Sequence, residues 1–497
     1  MTQSLTSCIN AAKMIRTKIV ATMGPACSSV ETLHALFDAG VGICRMNFSH
    51  GTLDEHLQIL RNIRQAAMRS DSPIAILGDL CGPKIRLGKI ADENGAGGMP
   101  VEVGDEIIIQ RQPMVGAKKR MSATYTELID DLRVGDRVLI EDGMLRFVVT
   151  EKNFNEVHCQ CTAGGILKSG KGINLPGTPV NLPSITDRDW ECADWAIQND
   201  LDYLALSFVR RADEINLLRE HLRNKASDIH IIAKIEKSEA IEQIDSIIDA
   251  SDGLMIARGD LGVEMDVAEV PIIQKDLIRR CQAAGKPVIV ATQMLQSMIE
   301  QSSPTRAEVS DVANAIFDGA DAVMLSGETS VGKFPVLAVH TMEHVAQVTE
   351  DYVVKSELNK EPPLKLKTMQ LSAAVANGVR RIAEDLKVKL VVVYSQTGAT
   401  ARIFSKSRLS APILALSSDH RALRRMALHW GVIPQEMPPP ANMDELVYNV
   451  DQLICQRGFA SNRDRIIVVA GASLGTPGTL NGVILHTVGE NRASEAE

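Results

Sequence analysis

The stretch IHIIAKIEKSEAIEQIDSIIDASDGLMIAR, residues 229–258, decides how this chain folds. It opens on a continuous apolar run, IHIIAKI (229–235), and closes on another, GLMIAR. Between them EAIEQIDSIIDA carries isoleucines at helical spacing. Uninterrupted apolar strands, as opposed to alternating ones, belong to parallel sheets buried on both faces. The stretch is therefore a β-α-β unit. Outward in both directions the same unit recurs, with strands expected at TKIVAT (17–22), VGICRM (41–46), IAILGD (74–79), DYLALSF (202–208), PVIVAT (287–292) and DAVMLS (321–326). Helical stretches such as SVETLHALFDAG and IIQKDLIRRCQAAG lie between them. Eight strands of this kind predict an α/β fold built on a (β/α)8 TIM barrel.

One unit is interrupted. Between the third and fourth runs, VEVGDEIIIQ, RVLIEDGMLRFVV and EVHCQCTAGG have strand character, with Asp142-Gly143 as a hairpin turn. This segment reads as a small β-barrel lid domain inserted on a barrel loop. A second boundary falls in KSELNKEPPLKLK (355–367), marked by Pro362-Pro363. Beyond it KLVVVYS, PILALSS and RIIVVAG alternate with helices as an open-sheet α/β domain. The division expected is a barrel of residues 1–83 and 183–354, a lid of 84–182 and a C-terminal domain of 355–497.

At 497 residues the chain is too long for one core. Aromatics make up only 3%, so the cores must be built from aliphatic side chains. A net charge of −9 argues against nucleic acid or an anionic membrane as partner. No apolar run is long enough to span a bilayer, and the nine cysteines lack regular spacing. A cytoplasmic protein with reduced thiols is expected.

In barrels of this type chemistry sits at the C-terminal ends of the strands. Those ends supply Arg45, Asn47 and Ser49, then Asp79, Ser207, Lys234, Glu236, Arg258, Gly259, Asp260, Thr292, Ser326 and Glu328. Any one of them also fits a strand that simply ends in a soluble residue. Glu236 and Asp260, on adjacent strands, can place two hard oxygens on one Mg²⁺, with substrate and water filling its other positions. A salt bridge to Lys234 or Arg258 is the competing reading of the same spacing. Lys234 lies two residues before Glu236, so the pleat points both to one side. An ammonium beside such a pair suits a phosphoryl group in transfer, and Arg45 adds a planar fork for its oxygens. After Gly259 the backbone N–H groups suit a carboxylate. Thr292 closes a strand and opens a helix, QMLQSM, so its hydroxyl serves that anion or caps the helix.

At these residues the chain resembles the pyruvate kinase family. The resemblance rests on RMNFSHG (45–51), DLCGPKIR (79–86), SGKGINLPG (169–177), IHIIAKIEKSEAI (229–241), ARGDLG (257–262), ATQMLQSM (291–298), SPTRAEVSDVANA (303–315) and MLSGET (324–329), in the family's order. It implies phosphoryl transfer from phosphoenolpyruvate to ADP, giving ATP and pyruvate, the last step of glycolysis. It also implies Mg²⁺ (or Mn²⁺) on Glu236 and Asp260, phosphoryl contacts from Arg45 and Lys234, and a substrate carboxylate held by Gly259, Asp260 and Thr292. Nucleotide phosphates fall to Asn47, His50, Arg86 and Lys171, and a monovalent cation to Asn47, Ser49, Asp79 and the backbone of Leu80. Thr292 takes part in protonating the enolate. Lys84 departs from the pattern: K⁺-dependent members commonly carry Glu there, and Thr at the positions of Leu80 and Leu87. The K⁺ site is thus partly retained and K⁺ is not expected to be strictly required.

The last domain resembles the family's allosteric domain, in which SQTGAT (395–400) offers Ser395, Thr397, Gly398 and Thr400 to a phosphorylated effector, with GASLGTPGTLNG (471–482) closing over it. The family's arginine is missing from this turn, and a plain helix start is the other reading. A homotetramer is also implied. Two further classes compete. A Mg²⁺-dependent aldolase or lyase of pyruvate enolates shares the barrel but leaves the inserted domain, Lys171 and NFSH unexplained. A non-catalytic family member predicts loss of Lys234, Glu236, Asp260 or Arg45, and all four are present.

Overall fold

The computed structural model describes residues 15–490, apart from 71, 93, 94, 96, 356–368 and 472–479. Eight parallel strands close into a barrel: Lys18–Thr22, Val41–Asn47, Ala75–Asp79, Tyr203–Leu206, His230–Ile235, Gly253–Ala257, Val288–Ala291 and Ala322–Leu325. They pair in chain order, and the eighth pairs with the first. Their apolar runs are continuous because both faces are covered. Val20, Ile43, Leu77, Tyr203, Ile232, Met255, Ile289 and Met324 belong to a central cluster, and a second, larger one packs the strands against the helices. The DYLALSF run ends earlier than expected, at Leu206, since Phe208 turns at φ 55°.

Two local expectations are corrected. EAIEQIDSIIDA is not one helix but two, Ser238–Glu242 and Ile244–Ala250, broken at Gln243. QMLQSM does not open a helix at Thr292. Thr292 and Gln293 are both left-handed (φ 67° and 55°), and only a 3-10 turn follows, at Gln296–Ile299. A β-branched residue tolerates that conformation only where its surroundings enforce it.

The floor of the barrel is fixed by aspartates that sequence periodicity does not single out. Asp202, Asp252 and Asp321 each precede a strand and accept the N–H of Ile76, Ile231 and Val288 at 2.8 Å. The C-terminal domain meets two of them with cations: Arg424 reaches Asp202 at 2.7 Å, and Lys406 and Arg408 converge on Asp321. Buried carboxylates need such partners to remain charged. Ala427 and Leu428 pack with the central barrel cluster from the same side, leaving the opposite rim for chemistry.

The inserted segment is all-β. Arg120–Ser122, Glu106–Gln110, Glu156–Ala163, Leu145–Lys152, Arg137–Ile140 and Ile173–Asn174 form one sheet, and Met99–Val101 pairs with Gly165–Leu167. It has its own apolar core, including Ile107, Phe147 and Cys159. The hairpin at Asp142-Gly143 forms as expected, with Glu141, Asp142 and Gly143 all at positive φ. The C-terminal domain has four parallel strands, Leu390–Tyr394, Ile413–Ser417, Val432–Glu436 and Arg465–Gly471, edged by antiparallel Leu480–Thr487. Nearly all of the expected 355–367 connection lies outside the described residues, as does most of GASLGTPGTLNG.

Candidate active site

Four charged side chains from the second, third and fifth strands meet at the rim. Lys234, near the end of the fifth strand, makes three contacts with its ammonium: Ser207 Oγ at 2.7 Å, Glu236 Oε1 at 3.0 Å and Asp79 Oδ1 at 3.1 Å. An ammonium has three protons to donate, so all are engaged. Asp79 Oδ2 accepts from Arg45 Nε at 2.7 Å, and Arg45 Nη1 donates to Thr22 Oγ1 at 2.9 Å. This leaves Arg45 Nη2 without a hydrogen bond to the described residues. The Asp79 and Glu236 side chains are 1% and 2% exposed, so the Coulomb terms act with little screening.

Electrostatics follow from that burial. Desolvation alone would pull Lys234 toward neutrality, but Asp79 and Glu236 outweigh it and hold the ammonium well above its ordinary value. Asp79 is desolvated too, yet Lys234 and Arg45 keep its carboxyl below the usual range. Glu236 moves the other way. Burial raises its carboxyl despite Lys234, and the charge of nearby Asp260 adds to the rise. Two neighbouring carboxylates with incomplete compensation are suited to a divalent cation, which would relieve both burial and repulsion. Glu236 Oε2 accepts the N–H of left-handed Phe208 at 2.7 Å, which fixes the carboxylate plane.

Thr292 is tied to ARGDLG. Its hydroxyl accepts the Gly259 N–H at 2.7 Å and donates to Ala291 O at 2.6 Å. A Cβ on Gly259 would lie 3.4 Å from that oxygen, an ordinary contact, so the structure at this point does not itself demand glycine. Arg258 pairs with Asp311 (2.7 Å), not with the candidate metal carboxylates, and its Nη2 holds Thr292 O at 2.9 Å. The helix Arg258–Glu264 begins here, placing Asp260 in its first turn.

The remaining candidates are placed as follows. Asn47 Oδ1 accepts the Ser49 N–H at 3.2 Å, and Leu80 O accepts from Ser207 at 2.7 Å. His50 is exposed, and its carbonyl bonds the ring of buried His56. Arg86 Nη1 donates to Gly170 O at 3.0 Å, and Lys171 pairs with Glu141 at 2.6 Å within the inserted domain. Half-buried Lys84 packs on Gly172 and lines a small hinge cavity with Asn174, Phe208 and Lys237. In the distant 395–400 turn Ser395 is buried, Thr397 exposed and Gly398 left-handed at φ 77°, ahead of the helix Ala399–Lys406. Sequence reasoning missed Thr22 and underrated Ser207. Only the strand-end position of Ser207 signalled it.

This is a (β/α)8-barrel enzyme whose rim joins a buried lysine, an arginine fork and a carboxylate pair, the equipment of a phosphotransferase. The profile described as "Pyruvate kinase, barrel domain" matches residues 14–339, and "Pyruvate kinase, alpha/beta domain" matches 373–486. The chain is 42% identical over 478 residues to a pyruvate kinase of Geobacillus stearothermophilus, covering 96% of this chain and 81% of that one. It is 42% identical over 484 residues to a pyruvate kinase of Bacillus licheniformis, with the same shares. A solved pyruvate kinase from Cryptosporidium parvum superposes with a TM-score of 0.88 at 34% identity, covering 96% and 97% of the two chains. The chain belongs to the pyruvate kinase family. Its activity is a glycolytic transferase activity, and the family generally uses Mg²⁺ and K⁺ with phosphoenolpyruvate and ADP as substrates. Among the described residues no helix is long and apolar enough to cross a membrane.

Proposed function

We propose that the Lys234–Asp79–Arg45–Glu236 network carries out phosphoryl transfer from phosphoenolpyruvate to ADP. The observation that carries the reading is Lys234, buried and held charged with all its donors turned to the rim. Glu236 and Asp260 would hold Mg²⁺, which when bound supplies positive charge to the phosphoryl oxygens. Lys234 exchanges a protein contact for a phosphoryl oxygen and neutralises charge as the group moves. Arg45, oriented by Asp79 and Thr22, offers Nη2 to the same group. Gly259, Asp260 and Thr292 receive the substrate carboxylate. Thr292 also serves the proton relay to the enolate, through water, by giving up its bond to Ala291 O. Asn47, His50, Arg86 and Lys171 receive the nucleotide phosphates. For Lys171 that means leaving Glu141 as the inserted domain closes.

The division at 84–182 and 355–497 belongs to this reading and is supported by separate apolar cores. So do a cytoplasmic location and a homotetramer. The edge strand Leu480–Thr487 exposes Val483 and Leu485, a surface suited to pairing with a second copy. The 395–400 turn is assigned to a phosphorylated effector. Thr397→Glu should weaken activation by a sugar phosphate and leave basal turnover intact. An unchanged activation curve would place the effector elsewhere.

Lys84 supports activity without K⁺. It is half-buried at the hinge beside Gly172, Phe208 and Lys237, and in this reading its positive charge disfavours a cation held by Asn47, Ser49, Asp79 and Leu80. Substantial turnover is expected in buffer free of Na⁺ and K⁺, and Lys84→Glu should lower it and partly restore a K⁺ requirement. Strict K⁺ dependence of the unmodified chain would overturn this part of the reading.

A further inference from the structure

Glu264 ends the helix that begins beside Gly259 and Asp260, and its side chain is 1% exposed. Its Oε1 accepts from two elements. Lys237 Nζ, next in sequence to Glu236, donates at 2.7 Å, and Asn174 Nδ2, on the inserted domain's strand Ile173–Asn174, donates at 3.1 Å. Its Oε2 is buried and has no hydrogen-bond partner among the described residues. A carboxylate kept this dry with half its capacity unused is costly unless the contacts it does make matter. One group thus touches the residue after a candidate metal ligand, ends the helix that carries the other, and holds the sheet of the inserted domain.

Next to the bond lies a cleft of about 550 Å³ lined by Arg137, Leu139 and Gly143 of the inserted domain and by Gly262, Val263 and Val267 of the barrel, with Gly143 close to Val263. The chain leaving the inserted domain is held separately, by Arg210 donating to Val180 O at 2.9 Å and Leu182 O at 3.0 Å. A hydrogen bond to a charged group is stronger and more directional than one between neutral groups, so it can set orientation.

We propose that Glu264 is a positioning residue, the latch that sets the inserted domain over the barrel so that Lys171, three residues before Asn174, reaches the nucleotide. The inference rests on the reading of Lys171 given above. Asn174→Leu keeps the branched shape of the side chain, though it is bulkier, and removes the donor. Steady-state kinetics should show the KM for ADP rising about tenfold, the equilibrium factor for losing one hydrogen bond to a charged group. The KM for phosphoenolpyruvate and the Tm should stay near those of the unmodified chain. Combining it with Lys171→Met should raise the ADP KM no further than Lys171→Met alone, because both act through one contact. Hydrogen–deuterium exchange over residues 165–182 should quicken in Asn174→Leu.

If Lys171→Met raises the ADP KM and Asn174→Leu does not, the latch is wrong and the nucleotide reading stands. If Asn174→Leu raises it and Lys171→Met does not, Lys171 loses its nucleotide role and the latch as stated is overturned with it. Equal rises in both KM values with a lower Tm would reduce Glu264 to a structural residue and overturn the proposal. Should Asn174→Leu fail to fold, Asn174→Ser, too short to reach Glu264, is held to the same outcomes.

Discussion

Lys234→Met should cut turnover by at least about 10²–10³-fold, the loss typical when one preorganised donor to a developing charge is removed. Methionine keeps much of the stem volume and deletes the charge. The fold is expected to survive because neither carboxylate is left bare. Asp79 keeps Arg45 at 2.7 Å, and Glu236 keeps the Phe208 N–H at 2.7 Å. Circular dichroism and thermal unfolding should therefore stay close to those of the unmodified chain while kcat collapses. Near-normal kcat in a folded Lys234→Met protein would remove this lysine from the chemistry.

The second large effect is expected at the carboxylate pair. Glu236→Gln retains an acceptor for Lys234 and keeps the side-chain shape, but removes one of two anionic oxygen donors. Mutating even an outer-shell partner of a metal typically costs roughly 10–100-fold in metal affinity or activity, so loss of a direct ligand should weaken apparent Mg²⁺ affinity by at least that much. The measurement is equilibrium Mn²⁺ binding in the absence of substrates, alongside a Mg²⁺ titration of turnover. An unchanged metal midpoint would return Glu236 to the salt-bridge role that its 3.0 Å contact with Lys234 also permits.

Much of this was legible before any coordinates. The eight barrel strands were visible because burial on both faces demands continuous apolar runs, and their polar ends marked the rim. Lys234 and Glu236 could be placed on one side of a strand from their two-residue spacing alone. What stayed hidden depends on groups far apart in the chain or on backbone conformations with no compositional mark. Nothing near Asp79 announces that it bridges Arg45 and Lys234. Nor does QMLQSM reveal that Thr292 and Gln293 are left-handed, since Arg258 and Gly259 hold them from the start of the helix that follows the neighbouring strand. The aspartates of the barrel floor precede strands as loop residues commonly do. For Asp202 and Asp321 the role appears only when Arg424, Lys406 and Arg408 arrive from the C-terminal domain. Glu264 escaped notice for the same reason, because its two partners lie in the inserted domain and on the preceding barrel loop.

The most direct test of the central claim is the stoichiometry of the reaction with the unmodified chain, phosphoenolpyruvate, ADP and Mg²⁺. One ATP and one pyruvate should form for each phosphoenolpyruvate consumed, both stopping with a chelator and resuming with added Mg²⁺. Pyruvate released without ATP, or phosphoenolpyruvate left unconsumed by a folded protein, would contradict the assignment.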